Sequence, residues 1–135
     1  MTALTADRKT PARDGDLVSH PVAATTRIYA GALVALDRSG NAVPGATSTT
    51  LTAVGRAEDN IDNSAGLAGA LNVTVRRGVF RYDNEATDLV ARANIGANCY
   101  IVDDATVAKT NGTGTRSVAG KIVDVDSDGV WVEIL

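Results

Sequence analysis

The sequence predicts an all-β protein, a small β-sandwich or β-barrel (jelly-roll-like), with one short helix and an extended N-terminal arm. Three observations lead there. Residues 71–84, LNVTVRRGVFRYDN, open with strict alternation: Leu71, Val73 and Val75 on one face, Asn72, Thr74 and Arg76 on the other. That is the period of a half-buried strand. At Arg77-Gly78 the phase slips, as it does where a strand bulges or bends between two layers. Elsewhere, short β-prone runs are separated by turn signals roughly every ten residues.

Taken in order, residues 1–21 mix Thr, Asp, Arg and Lys with Pro11 and Pro21 and a turn signal at Asp14-Gly15, and no period persists through them. They read either as a tail or as an arm that orders on a neighbouring subunit. Residues 22–135 read as one β domain. Strands are expected over 22–29 and 32–36. The turn Asp37-Arg38-Ser39-Gly40-Asn41 follows, then a short edge at Ala42-Val43 before Pro44-Gly45. Residues 46–50 read as loop, 51–57 as strand and 58–69 as an exposed loop rich in turn formers. The helix is expected within 83–98, capped by Thr87 or Asp88, with Leu89, Val90 and Ala93 as its apolar stripe and Gly96 near its end. Strands at 99–103 and 106–108, a loop at 110–114 and a closing hairpin of 117–126 with 129–135 complete the chain.

The 135 residues fit one domain with a single core. Hydrophobic residues make up 44% but aromatics only 4%, so Val, Ala, Leu and Ile must fill that core. It gives less burial per residue than an aromatic-rich core, which predicts help from oligomerisation or docking. The net charge of −3 lacks the basic footprint of a nucleic-acid binder. The sole cysteine, Cys99, lies in the apolar run CYIV and reads as a small buried hydrophobe. No apolar run approaches the ~18 residues of a membrane span. The first ten residues lack the apolar stretch of a secretory signal, so the expected compartment is the cytoplasm or a particle assembled there.

Few residues suggest chemistry. Asp124, Asp126, Asp128 and Gly129 imitate the start of a calcium loop. The twelfth position is Leu135 rather than Glu, and both flanks read as strands, so a hairpin turn is expected and no metal. The only histidine, His20, has no recognisable nucleophile partner and reads as exposed. Glu58-Asp59 and Asp103-Asp104 read as solvated turn residues. No catalytic, cofactor-binding or metal residues are predicted, and no enzyme. Arg76, Arg77 and Arg81 form a basic cluster that is either a solvated strand face or a contact for an acidic partner. Trp131 is core or interface anchor.

Three stretches together carry a resemblance: residues 54–66 (VGRAEDNIDNSAG) with 73–84 (VTVRRGVFRYDN), then 99–110 (CYIVDDATVAKT), then 112–134 (GTGTRSVAGKIVDVDSDGVWVEI). Over about residues 30–135 the chain resembles the small capsid cement, or decoration, proteins of tailed bacteriophages. The resemblance implies a structural virion protein on the outside of an icosahedral head, assembled in the host cytoplasm. There it bridges major capsid proteins and stabilises the expanded shell, as a homo-oligomer with a trimer favoured and a dimer possible. It implies no nucleic acid, membrane or cofactor. On that reading the arm lies along the capsid or a neighbouring subunit, and Arg8, Lys9 and Arg13 meet acidic capsid residues. The alternative is a carbohydrate- or receptor-binding module such as a head-fibre base. That would need a surface cluster of aromatics, and three Tyr, one Phe and one Trp spread along the chain argue against one.

Overall fold

The computed structural model describes residues 2–9 and 15–135. Among these residues twelve strands follow one another: β1 (Leu17–Pro21), β2 (Thr26–Ile28), β3 (Leu33–Leu36), β4 (Ala42–Pro44), β5 (Thr52–Ala57), β6 (Ile61–Asn63), β7 (Asn72–Arg76), β8 (Gly78–Asn84), β9 (Asn98–Ile101), β10 (Thr106–Ala108), β11 (Val118–Asp126) and β12 (Gly129–Ile134). One 3-10 turn, Arg92–Asn94, lies between β8 and β9.

The strands build three layers. An open antiparallel sheet has the order β1-β7-β5-β3-β4, and β10-β8-β12-β11-β9 close into a five-stranded barrel. A two-stranded ribbon, β2-β6, forms the third layer. The sandwich-or-barrel choice thus resolves into both, a barrel packed on a sheet. β3 explains how one sheet serves two cores. Its Leu33 and Ala35 join the barrel interior with Ile101, Ile122, Val130 and Val132. Its Val34 turns the other way and packs with Val73, Val75 and Ile28 under the ribbon. Because β3 is buried on both faces, LVAL is apolar without alternation.

The bend expected in residues 71–84 is present. β7 belongs to the sheet and β8 to the barrel, and Gly78, at φ +152°, sits at the junction. A side chain there would be strained, so the glycine lets one run of sequence serve two layers.

Other expectations change. β1 lies inside the segment read as an arm: Leu17–Pro21 pairs antiparallel with β7, so the sheet begins at Leu17, not at residue 22. Residues 22–29 shorten to β2, with Thr25 at φ 52° before it. Within 58–69, read as loop, β6 pairs with β2, and the buried Asn63 Nδ2 donates to Ala23 O and Leu67 O, both at 3.0 Å. The expected helix reduces to the 3-10 turn. Asn84 is the physical reason: its Nδ2 donates to Val90 O and its Oδ1 accepts from Val90 N, both at 2.9 Å. This side chain stands in for a strand neighbour and pins the buried Val90 into the barrel. Leu89 is left 56% exposed, so the two do not share a helical face. Among the described residues, no helix is long and apolar enough to cross a membrane.

Candidate interaction surfaces

The bend between β7 and β8 divides the predicted basic cluster. Arg76, at the end of β7, faces Glu58: its Nε lies 3.4 Å from Glu58 Oε1. Arg56 on β5 donates to the same oxygen from Nη2 at 2.7 Å. One carboxylate therefore serves two guanidiniums, and the Arg56 hydrogen bond foremost holds it below the usual carboxylate range. Glu58 is thus an ion-paired residue rather than a merely solvated turn residue. Arg77 is exposed and lines a hollow with Gly15, Asp16 and Leu135. Arg81 stands on the outer face of the barrel, opposite Trp131 across the β8-β12 ladder. Its guanidinium lies 5.7 Å from the indole centre, and Asp128 is 3.9 Å away. Lys9 lies in the exposed segment 2–9, which also contains Arg8. Arg13 lies outside the described residues.

The first surface is a groove of about 310 Å³ at the seam between barrel and sheet. Phe80, Tyr82 and Trp131 line it, together with Arg56 and Arg81. Three of the chain's five aromatics are thereby gathered, contrary to the expectation that they are spread. The cluster differs from a sugar platform in one respect. Arg56 covers the Phe80 ring at 4.6 Å and Arg81 lies over Trp131, while Tyr82 is 95% buried. Guanidinium stacking occupies faces that a sugar would need. Burial pushes the Tyr82 phenol well above its ordinary value, and its hydroxyl finds no partner among the described residues.

The second surface lies where β5 begins and β12 ends. Leu135, 76% exposed, borders three adjoining hollows. The largest, about 670 Å³, has Leu51 and Val118 in its wall, with Lys121 and Glu133. A second is lined by Val18 and His20, and a third by Gly15, Asp16 and Arg77. An apolar area rimmed by charge is the chemistry of a protein contact.

The remaining motif residues have structural partners. Asp126 Oδ1 accepts from the amides of Asp128 and Gly129, and Asp126 Oδ2 from Trp131 Nε1 at 2.9 Å. Asp124 Oδ1 takes Arg92 Nη1 at 3.0 Å. Asp126 thus holds the β11-β12 hairpin turn, with strands on both sides, while Asp124 ties β11 to the 3-10 turn. His20 is half-buried on β1, not exposed, and burial lowers its pKa. Cys99 is fully buried, and its thiol is pushed up to about 12 by burial.

Sequence reasoning missed Arg56, Glu58 and Phe80 as a unit. The only signal was local, Arg56 on β5 and Glu58 two residues on, just past the strand's end. Phe80 reaches them only through the bend. Leu135 and Val118 come together at the open end of the β11-β12 hairpin, and nothing in the sequence marked that end as exposed. Comparison with protein-family models, curated proteins and solved structures returns no match for this chain.

Proposed function

We propose that this chain is a structural protein of a tailed-phage virion. It binds the outside of the icosahedral head, bridges major capsid proteins and works as a homo-oligomer. The reading begins in the sequence resemblance. The observation that carries it further is the exposed apolar end around Leu135 and Val118, with Arg77 and Lys121 at its rim. The segment leading into β1 passes the same end through Gly15 and Asp16. Surfaces of this kind serve contact rather than chemistry, and repetition on a lattice makes modest contacts effective.

Co-sedimentation with expanded heads lacking this protein tests the reading, followed by a heat challenge of those heads. Saturable binding at a fixed ratio to the major capsid protein, with a higher rupture temperature, is expected. The double substitution Leu135→Asp with Val118→Asp should weaken binding by at least about tenfold while leaving the fold intact, because both side chains are exposed. Absence of binding by the unaltered protein to any head preparation sinks the proposal. The carbohydrate alternative gains an aromatic cluster from the groove, yet its ring faces carry guanidiniums, so it stays second.

A further inference from the structure

The seam groove contains an unfinished strand edge. Along the side of β8 away from β12, Asp83 N donates to Ala105 O at 2.8 Å and Glu85 N to Val107 O at 3.0 Å. Just before β8, Arg77 N donates to Asp16 O at 2.7 Å. Between these anchors the β8-β12 register is unbroken from Gly78 to Tyr82. A strand's period of two therefore turns the N–H and C=O of Val79 and Arg81 to the same side as those of Asp83. Among the described residues no strand occupies that side at 79 and 81, since β10 meets β8 only at Asp83 and Asn84. The groove lies there, and its only charged lining residues are Arg56 and Arg81. With strands about 4.8 Å apart, layers about 10 Å apart and a rise of about 3.3 Å, its 310 Å³ holds roughly two residues of extended chain. Two rises along a strand are also the separation of Val79 from Arg81.

We propose that the β8 edge at Val79 and Arg81 receives an extended acidic segment of a partner protein, which adds as a short strand and places its carboxylates by Arg81 and Arg56. Main-chain bonds to Val79 and Arg81 supply the register, and the two guanidiniums select the charge. Glu58 is shared between Arg56 and Arg76, and Asp128 is 3.9 Å from Arg81, so neither arginine of the groove is matched one to one by a close carboxylate. A sugar is disfavoured here because the ring faces are stacked. The inference goes beyond the head-binding proposal and does not require it.

The test uses the full chain and defined probes. A capped octapeptide of alternating Val and Glu is titrated into isotope-labelled protein to about 5 mM, the range of weak strand addition. Saturating shifts are expected at the Val79 and Arg81 amides. Their hydrogen exchange should slow by at least about fivefold, with little change at Phe80 and Tyr82, whose amides already face β12. Arg81→Gln, which keeps a side chain over Trp131 but drops the charge, should weaken binding by at least about threefold, and Arg81→Glu by at least about tenfold. A Val–Lys peptide, and a Val–Glu peptide methylated on its backbone nitrogens, should each bind at least about tenfold more weakly. The proposal is overturned by no saturable shift with the Val–Glu peptide. It is equally overturned by binding that backbone methylation leaves unchanged, or by maltohexaose shifting these amides when the peptide does not.

Discussion

Asp88 Oδ2 accepts three hydrogen bonds, from Thr110 N at 3.0 Å, from Thr110 Oγ1 at 2.5 Å and from Arg116 Nη1 at 2.9 Å. The Arg116 side chain is only 16% exposed, and its Nε finds no partner among the described residues. Removing the carboxylate would leave that shielded guanidinium without its counter-charge, with Nη1 keeping Thr110 O at 3.2 Å as an acceptor. Asp88→Ala is therefore expected to cost about 1–3 kcal/mol in urea unfolding, and to loosen residues 109–116 first. The Thr110 hydroxyl foremost holds the Asp88 carboxyl below its ordinary value. Its contribution is complete above the ordinary carboxylate range and is lost as pH falls through the lowered folded value. His20 works in the same pH direction, over a higher range. Burial favours its neutral form, so the unfolded chain binds the proton more readily. Stability should fall as pH drops below about 7 through the ordinary value of 6.5, then level off beneath the lowered folded value. As the chain has one histidine, His20→Gln should flatten the thermal-midpoint profile between pH 5 and 7.5. A slope that survives the substitution would assign the effect elsewhere. Burial also predicts that Cys99 ignores a thiol reagent in native buffer and reacts only in denaturant.

At the scale of elements, legibility in the sequence follows the range of the interaction. The bend at Gly78 and the closing hairpin were readable because their causes are local: a phase slip in one case, turn residues between alternating runs in the other. β1 was not readable. LVSHP is short and flanked by turn formers, and it becomes a strand by pairing with β7, more than fifty residues on. The false helix has the same origin, since Leu89, Val90 and Ala93 do carry a helical spacing, and the Asn84 side chain overrides it. The groove was illegible for a further reason: Arg56, Phe80 and Trp131 come from three strands in two layers. Close contact between elements sets another testable cost. Gly55 of β5 has φ +145°, and a Cβ there would meet the Arg76 carbonyl of β7. Gly55→Ala should cost about 2–4 kcal/mol from strain and forced separation of the two strands. Gly15→Ala has open space and should stay within about 0.5 kcal/mol. Equal costs at the two sites would contradict the β5-β7 packing described.

For the molecule as a whole, the position of β1 changes how the N-terminal segment must be tested. Removing the first twenty residues would strip most of an edge strand from the sheet. Val18 and His20 lie on β1 opposite Val75 and Val73, which are fully buried. Such a deletion would open the β7 edge to water and to other chains. Two truncations separate binding from folding. Deletion through residue 14 leaves every strand of the described residues in place and should move the thermal midpoint by no more than about 2 °C. Deletion through Pro21 removes β1 and should lower it by about 10 °C or more, or cause aggregation. Head binding is then compared only for proteins that remain folded. If Arg8, Lys9 and Arg13 meet acidic capsid residues, the shorter deletion keeps its midpoint, loses affinity for heads, and loses most of its salt dependence as well. If that variant saturates heads with unchanged affinity, the segment has no part in attachment. The apolar end around Leu135 must then account for binding alone, and its double aspartate variant becomes the deciding measurement.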